Sequence, residues 1–144
     1  MKKMILVLAI LVSTVSAFAS EVNVNEKVQN AFKSEFTNAS EVAWFQGDTY
    51  FRATFNYKGV YLFAFYNDEG ELLALSRYIS PTILPFILQN NLKKNYEGYW
   101  VSDLFEASKN GDTCYYITIE NADTKIVLKS AGNSWNVYSK HKKS

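Results

Sequence analysis

Acid–base or nucleophilic chemistry would have to come from a short supply of reactive side chains. The chain of 144 residues contains one histidine and one cysteine. His141 stands in the basic run Lys140-His141-Lys142-Lys143, which reads as a solvated, frayed end. Neither a Ser-His-Asp nor a Cys-His device can then be assembled in an ordered region. Cys114 has no histidine near it in sequence, and in a strand-like run a lone cysteine behaves as a small hydrophobe. Metalloprotease, Cys-x-x-Cys, nucleophile-elbow and phosphate-loop patterns do not occur. Carboxylates remain. Asp68, Glu69 and Glu71 cluster, but their spacing is wrong for an EF-hand and they flank a tight turn, so they read as a solvated hairpin tip. Asp48 and Asp112 each occupy a Gly-Asp-Thr step ahead of a strand, where Asp bonds nearby backbone. The expectation is a protein with no catalytic residue, no metal ligands and no cofactor.

The ends and the charge narrow the setting. Lys2 and Lys3 precede an unbroken apolar run, Met4 to Val12, and Ala17-Phe18-Ala19 supplies the small residues of a cleavage site. Residues 1–19 therefore read as a signal peptide, too short to span a bilayer, which needs about 20 apolar residues. Residues 20–144 read as one exported domain, periplasmic or secreted. Without Lys2 and Lys3 the 15 basic residues fall to 13 against 14 acidic ones, which leaves no basic surplus for nucleic acid. A single cysteine excludes an intrachain disulfide, so stability must come from packing. Ten Phe, ten Tyr and three Trp suit that task.

The elements follow a doubled order. Asn23-Val24-Asn25-Glu26 looks like a helix start, with Asn23 as N-cap, and Val28, Ala31, Phe32 and Phe36 form its apolar stripe. Strands are predicted at residues 41–45, 49–56, 60–66 and 72–79. Ser80-Pro81 and Leu84-Pro85 suit a first helical turn, with regular helix predicted to begin between Thr82 and Leu84. Leu84, Leu88 and Leu92 line one side of it, with Ile87 beside them. Strands resume at residues 99–107, 113–120, 125–129 and 134–138. Gly47-Asp48-Thr49-Tyr50-Phe51 recurs as Gly111-Asp112-Thr113-Cys114-Tyr115, matching core Phe51, Ala53 and Phe55 to Tyr115, Ile117 and Ile119. The domain reads as α+β, with internal repeats over about residues 22–79 and 80–140.

Hairpin register decides which side chains share a face. Asn56-Tyr57-Lys58-Gly59 and Asn67-Asp68-Glu69-Gly70 both place Asn first and Gly fourth, the signature of a type I turn closed by a Gly bulge. A two-residue Lys58-Gly59 turn is the competing register and would swap the faces of the strands beyond it. The bulged register groups Phe51, Phe65 and Leu73, then Ala53, Phe63 and Leu75, into an aromatic core. It leaves Tyr50, Arg52, Leu62, Tyr66 and Leu72 on the opposite face around Ala64 and Ala74. That face is expected to be apolar where a solvated sheet would alternate, whereas the second half shows polar Thr118, Glu120, Lys125 and Lys129. Long neighbours such as Arg52 and the tyrosines could cover it. A partner could also, since Tyr and Arg are enriched at interface hot spots.

The order helix, Glu41-Val42-Ala43-Trp44 strand, aromatic hairpins, Asn-Asp-Glu-Gly turn, Leu84-Pro85 helix start and Tyr96-Glu97-Gly98-Tyr99 exit resembles the PepSY-like family of small secreted bacterial proteins. Their fold is similar to β-lactamase inhibitor protein. The resemblance covers roughly Val22 to Lys140. It implies two tandem helix-plus-four-strand units whose antiparallel strands form one continuous sheet, with helices on one face and the other face open to a protein. The inhibitor's acidic hairpin residue has no counterpart here, since the comparable hairpin reads Tyr57-Lys58-Gly59. The resulting expectation is a non-catalytic exported binding module, an inhibitor of another exported protein being one form of it. Tyr50, Arg52, Leu62, Tyr66 and Leu72 are its partner-binding residues. The alternative is a small-molecule binder holding an apolar or sugar ligand on the open face.

Overall fold

A computed structural model describes residues 22–144, and the leader read in residues 1–19 lies outside them. The chain divides into two compact units, the first ending at Ser76 and the second running from Arg77 to Ser144. Strand order follows the chain, and the fold is α+β with antiparallel strands.

The first unit opens with helix α1 (Glu26–Glu35). Its N-cap is Asn25 rather than Asn23: the Asn25 side-chain oxygen accepts from the Val28 N–H at 2.9 Å. Asn25 is the better placed of the two, because Val24 can then turn inward and bury beside Val28. Four strands follow, β1 (Ser40–Gln46), β2 (Phe51–Tyr57), β3 (Val60–Tyr66) and β4 (Leu72–Tyr78). Phe32 and Phe36 lower their rings onto Phe55 at 4.9 and 4.7 Å, and Phe32 meets Trp44 edge-on at 5.2 Å. Each such pair adds about 0.5–1.5 kcal/mol beyond its burial.

The β2–β3 hairpin takes the competing register. Tyr57 pairs with Val60 and Phe51 with Tyr66, leaving Lys58 and Gly59 as a two-residue turn. Both have positive φ, 54° and 85°, as a type I′ turn requires. Asn56 does serve the turn, but through its side chain, which accepts from the Gly59 N–H at 3.1 Å. The Phe51–Phe65–Leu73 row is therefore split. Phe51, Ala53 and Phe55 share their face with Leu62, Ala64 and Tyr66 under α1, together with Leu72 and Leu75. Phe63 and Phe65 go to the outer face. The type I′ turn wins because its twist matches that of the strands it joins. At Asn67–Gly70 the expected turn forms, with Gly70 at φ 81° and its N–H donating to the Asn67 carbonyl at 3.1 Å. A further register shift between Phe65 and Tyr66, however, sets Phe65 against Ala74 and Phe63 against Ser76 in place of Leu73 and Leu75.

Pro81–Ile83 forms a 3₁₀ turn in the second unit, and α2 (Phe86–Asn95) follows. Regular helix begins later than predicted because Pro85 holds Leu84 extended, at ψ 147°. Leu84 and Leu88 are buried, whereas Ile87 turns outward and is exposed. Strands β5 (Trp100–Lys109), β6 (Asp112–Glu120), β7 (Thr124–Ala131) and β8 (Ser134–Lys142) complete the unit. Leu104, Ile117, Ile119, Ile126 and Leu128 form its core with Leu84. The end of β4 also lies here: Arg77 pairs with Glu106 at 3.0 Å, and the Ile79 N–H donates to the Leu104 carbonyl.

The basic tail is not frayed. Thr124 pairs with Lys142 and Lys125 with His141, so β8 runs nearly to the end. Lys143 Nζ then reaches Glu120 at 2.9 Å and lies 4.8 Å from the Trp100 ring. Hydrogen bonds from Ser102 and Lys143 hold the Glu120 carboxyl below its ordinary range. Strand pairing extended by an ion pair outweighs the fraying expected from position alone.

Several positions in the two units play matching parts. Positions sixty apart match through the helices: Val28 with Leu88, Phe32 with Leu92 and Phe36 with Tyr96. Gln29 donates to the Val24 carbonyl as Gln89 does to that of Leu84. The Trp44–Ala53 pair has its counterpart in Leu104–Ile117. The β5–β6 hairpin is longer, closing at Asn110-Gly111 between Lys109 and Asp112. Beyond it the spacing widens to sixty-four, the interval at which Gly-Asp-Thr recurs.

Candidate functional site

Alternation along β1–β4 sends one set of side chains under α1 and the other to the opposite face of the strands. On that outer face Tyr50 lies against Phe45 and Phe65, with ring centres 6.0 and 6.1 Å apart. Gly47 makes room for Tyr50, because a Cβ there would sit 2.1 Å from the tyrosine ring. The Gly47 N–H donates to the Tyr50 carbonyl at 2.9 Å, closing the loop that places the ring. Arg52 extends its guanidinium over Phe45, 4.9 Å from the ring centre, and toward Phe63 at 5.9 Å. Tyr50 and Phe65 are buried by this arrangement, while Phe45, Arg52 and Phe63 stay half-exposed.

The five residues expected to bind a partner do not share a face. Tyr50 and Arg52 lie outside as predicted. Leu62, Tyr66 and Leu72 lie under α1, Tyr66 fully buried and the two leucines packed against the core. The one-residue change of register carried them there, and it brought Phe63 and Phe65 out in exchange. Phe45 was missed because β1 has no turn signal to fix its partner. Its place beside Arg52 follows from their direct pairing.

The second unit's outer face is not polar throughout, in contrast to the expectation. Tyr78 stacks on Phe105 at 4.2 Å, Tyr116 meets Tyr138 edge-on at 6.4 Å, and Lys129 lies over Tyr116 at 5.6 Å. Tyr78 is 52% exposed. Burial pushes the Cys114 thiol above its ordinary value, so it is a poor nucleophile. Among the described residues no group of His, Cys, Asp and Glu is arranged to hold a metal ion. Asp68, Glu69 and Glu71 do form a hairpin tip: the Asn67 side chain accepts from the Glu69 and Glu71 N–H groups, and Glu69 pairs with Lys27 at 3.0 Å.

A cleft of about 690 Å³ opens in the second unit beneath the end of α2, between Leu84, Leu92, Tyr96, Tyr99 and Val101. Its counterpart in the first unit is about 360 Å³, lined by Phe32, Phe36 and Trp44. Leu92 lines the larger cleft where Phe32 lines the smaller one.

Glu35 stands near Tyr66 at the end of α1. Its carboxyl, in a residue that stays exposed, is raised above the ordinary 4.5, chiefly by partial desolvation. Burial and the Glu35 charge together raise the Tyr66 phenol. A raised folded-state pKa means that ionising Glu35 disfavours the fold, so its contribution declines as pH rises through the carboxylate range. Glu35→Gln is therefore expected to be more stable than the parent near neutral pH and equal to it below about pH 4. Urea midpoints at the two pH values measure the difference.

Solved structures share this fold. A BLIP-like protein from Bacteroides fragilis superposes with a TM-score of 0.68 at 17% identity, over 85% of this chain and 89% of that one. A DUF2874 family protein from Bacteroides ovatus reaches 0.73 at 20% identity, over 84% and 89%. A protein of inferred periplasmic location from Bacteroides eggerthii gives 0.73 at 15% identity, over 84% and 90%. The sequence matches no family model and no curated protein. At these identities the likeness is one of fold. No described helix is long and apolar enough to cross a membrane.

Proposed function

We propose that this chain, with the fold of BLIP-like and DUF2874 proteins, is a non-catalytic exported binding module that meets another protein through the sheet surfaces opposite its two described helices. One observation carries the reading. The outer face of each unit bears aromatic side chains, Phe45 and Phe63 in the first and Tyr78, stacked on a buried Phe105, in the second, where a purely solvated face would alternate to polar residues. Such residues supply large, rigid contact area at small conformational cost. Export is supported by the leader pattern and by the fold-mate of inferred periplasmic location. The scarcity of activated nucleophiles and bases supports a role without catalysis, and inhibition of the partner is the finer form of this proposal.

Immobilised protein exposed to the exported fraction of its host tests the reading. Phe45→Ser and Tyr78→Ser should keep the fold, measured by circular dichroism, and should lose a partner that the parent retains. Undiminished capture by both variants would sink the proposal. The cleft beneath α2 favours a second reading, since its volume lies in the range of small-ligand sites. Native mass spectrometry of protein purified from its host separates the two, because a ligand binder should carry added mass.

A further inference from the structure

The outer face of the first unit holds a cation without a counter-charge. Arg52 rests on Phe45 and reaches toward Phe63, yet its Nε is buried and finds no hydrogen-bond partner. Among the described residues no carboxylate lies within ion-pair distance of it. Arg77 in the second unit shows the contrast: its Nε donates to Glu106 at 3.0 Å and a second nitrogen at 3.4 Å. A second unmet group shares the Arg52 face. Ser76 is 1% exposed, sits opposite Phe63 on the neighbouring strand, and its Oγ has no partner.

A guanidinium laid on an aromatic ring satisfies its flat face and keeps its edge donors available in a rigid fork. The Arg52 Nε–H is enclosed, so the edge left for an acceptor is the one formed by the two terminal nitrogens. The complement to such a fork is a carboxylate, gripped by two parallel N–H···O bonds. We propose that Arg52 anchors a Glu or Asp side chain presented by the partner protein, with Phe45 and Phe63 receiving the apolar part of that segment. This rests on reading the outer face as a binding surface and names the group it recognises. A phosphate fits less well, because phosphate sites combine several cations or a helix N-terminus. The outer neighbours of Arg52, namely Thr54, Asn56, Phe65, Ala74 and Ser76, include no second basic residue.

The Nε–H signals of Arg52 and Arg77 can be followed by nuclear magnetic resonance in the full chain. The titrants are acetyl-Tyr-Glu-Tyr-amide, its Gln analogue, acetate and inorganic phosphate. The Glu peptide should shift Arg52 and leave Arg77 in place, and the Gln peptide should bind about tenfold more weakly or worse. Arg52→Gln should lose that discrimination, and Arg52→Lys should weaken it. An unmoved Arg52, or equal binding of the two peptides, would overturn the proposal. Phosphate acting at lower concentration than the Glu peptide would overturn it in favour of a phosphate site, and acetate matching the peptide would replace the protein partner by a small acid. Arg52→Gln that still captures the partner, while Phe45→Ser and Tyr78→Ser do not, would remove the carboxylate anchor and leave the binding surface standing.

Discussion

Tyr66→Ala is expected to destabilise the first unit by about 3–5 kcal/mol, the cost of emptying a large aromatic site in a packed core. Tyr66 is fully buried with Phe55, Ala53 and Ala64 beneath α1. A cavity among Trp44, Phe51 and the helix has few ways to collapse, since the surrounding rings already fix one another. The same substitution on a solvated sheet face would cost within about 0.5 kcal/mol. Chemical denaturation therefore separates the two registers of the β2–β3 hairpin directly. Tyr66→Phe sharpens the test. By strict geometry the buried hydroxyl has no hydrogen-bond partner, although Glu35 stands close enough to act on it both by charge and as an acceptor. Removing an unmet buried hydroxyl should leave stability equal or raise it by about 1 kcal/mol. A loss above that amount would show that the hydroxyl is paired in solution.

Gly70→Ala is the second large effect, about 2–3 kcal/mol from two causes acting at one Cα. Its φ is +81°, where a side chain costs about 1–2 kcal/mol. A Cβ there would also meet the Lys27 carbonyl of α1 at 2.8 Å, a backbone atom with no freedom to retreat. The turn is drawn against the helix by the Asn25 side chain, which donates to the Asp68 carbonyl at 3.0 Å, and by the Lys27–Glu69 pair. Gly59 supplies the control. Its φ is +85°, but nothing lies near its added Cβ. Gly59→Ala should thus show the conformational cost alone, about 1–2 kcal/mol. Equal losses at the two glycines would mean that the turn does not press on α1.

Much of the architecture was legible because its causes are local. The stripe Val28, Phe32 and Phe36 repeats at helical spacing, and β3 was bounded by its own turn residues at both ends. The Gly-Asp-Thr echo carried the phase of β6 correctly, and Tyr115, Ile117 and Ile119 do join the second core. The candidate site was less legible. Tyr50 and Arg52 were placed on the outer face because β2 alternates on its own. Leu62, Tyr66 and Leu72 were misplaced because β3 and β4 inherit their faces from turns, and Asn-Tyr-Lys-Gly satisfies two turn geometries whose local energies are close. The basic tail was misjudged for a related reason. Its partners, β7 and Glu120, are distant in sequence, so composition alone pointed to solvent.

The order of the elements, the inward residues of β2 and β6, and the poverty of reactive side chains were set by the sequence alone, through short-range periodicity and by simple absence of residue types. Which aromatic rings β3 turns outward, and that Arg52 comes to rest on Phe45 with no carboxylate of the described residues beside it, were decided only in three dimensions. A strand's face depends on its neighbour's register. That register was selected by how the type I′ twist and the rings beneath α1 pack together, which no stretch of chain expresses by itself.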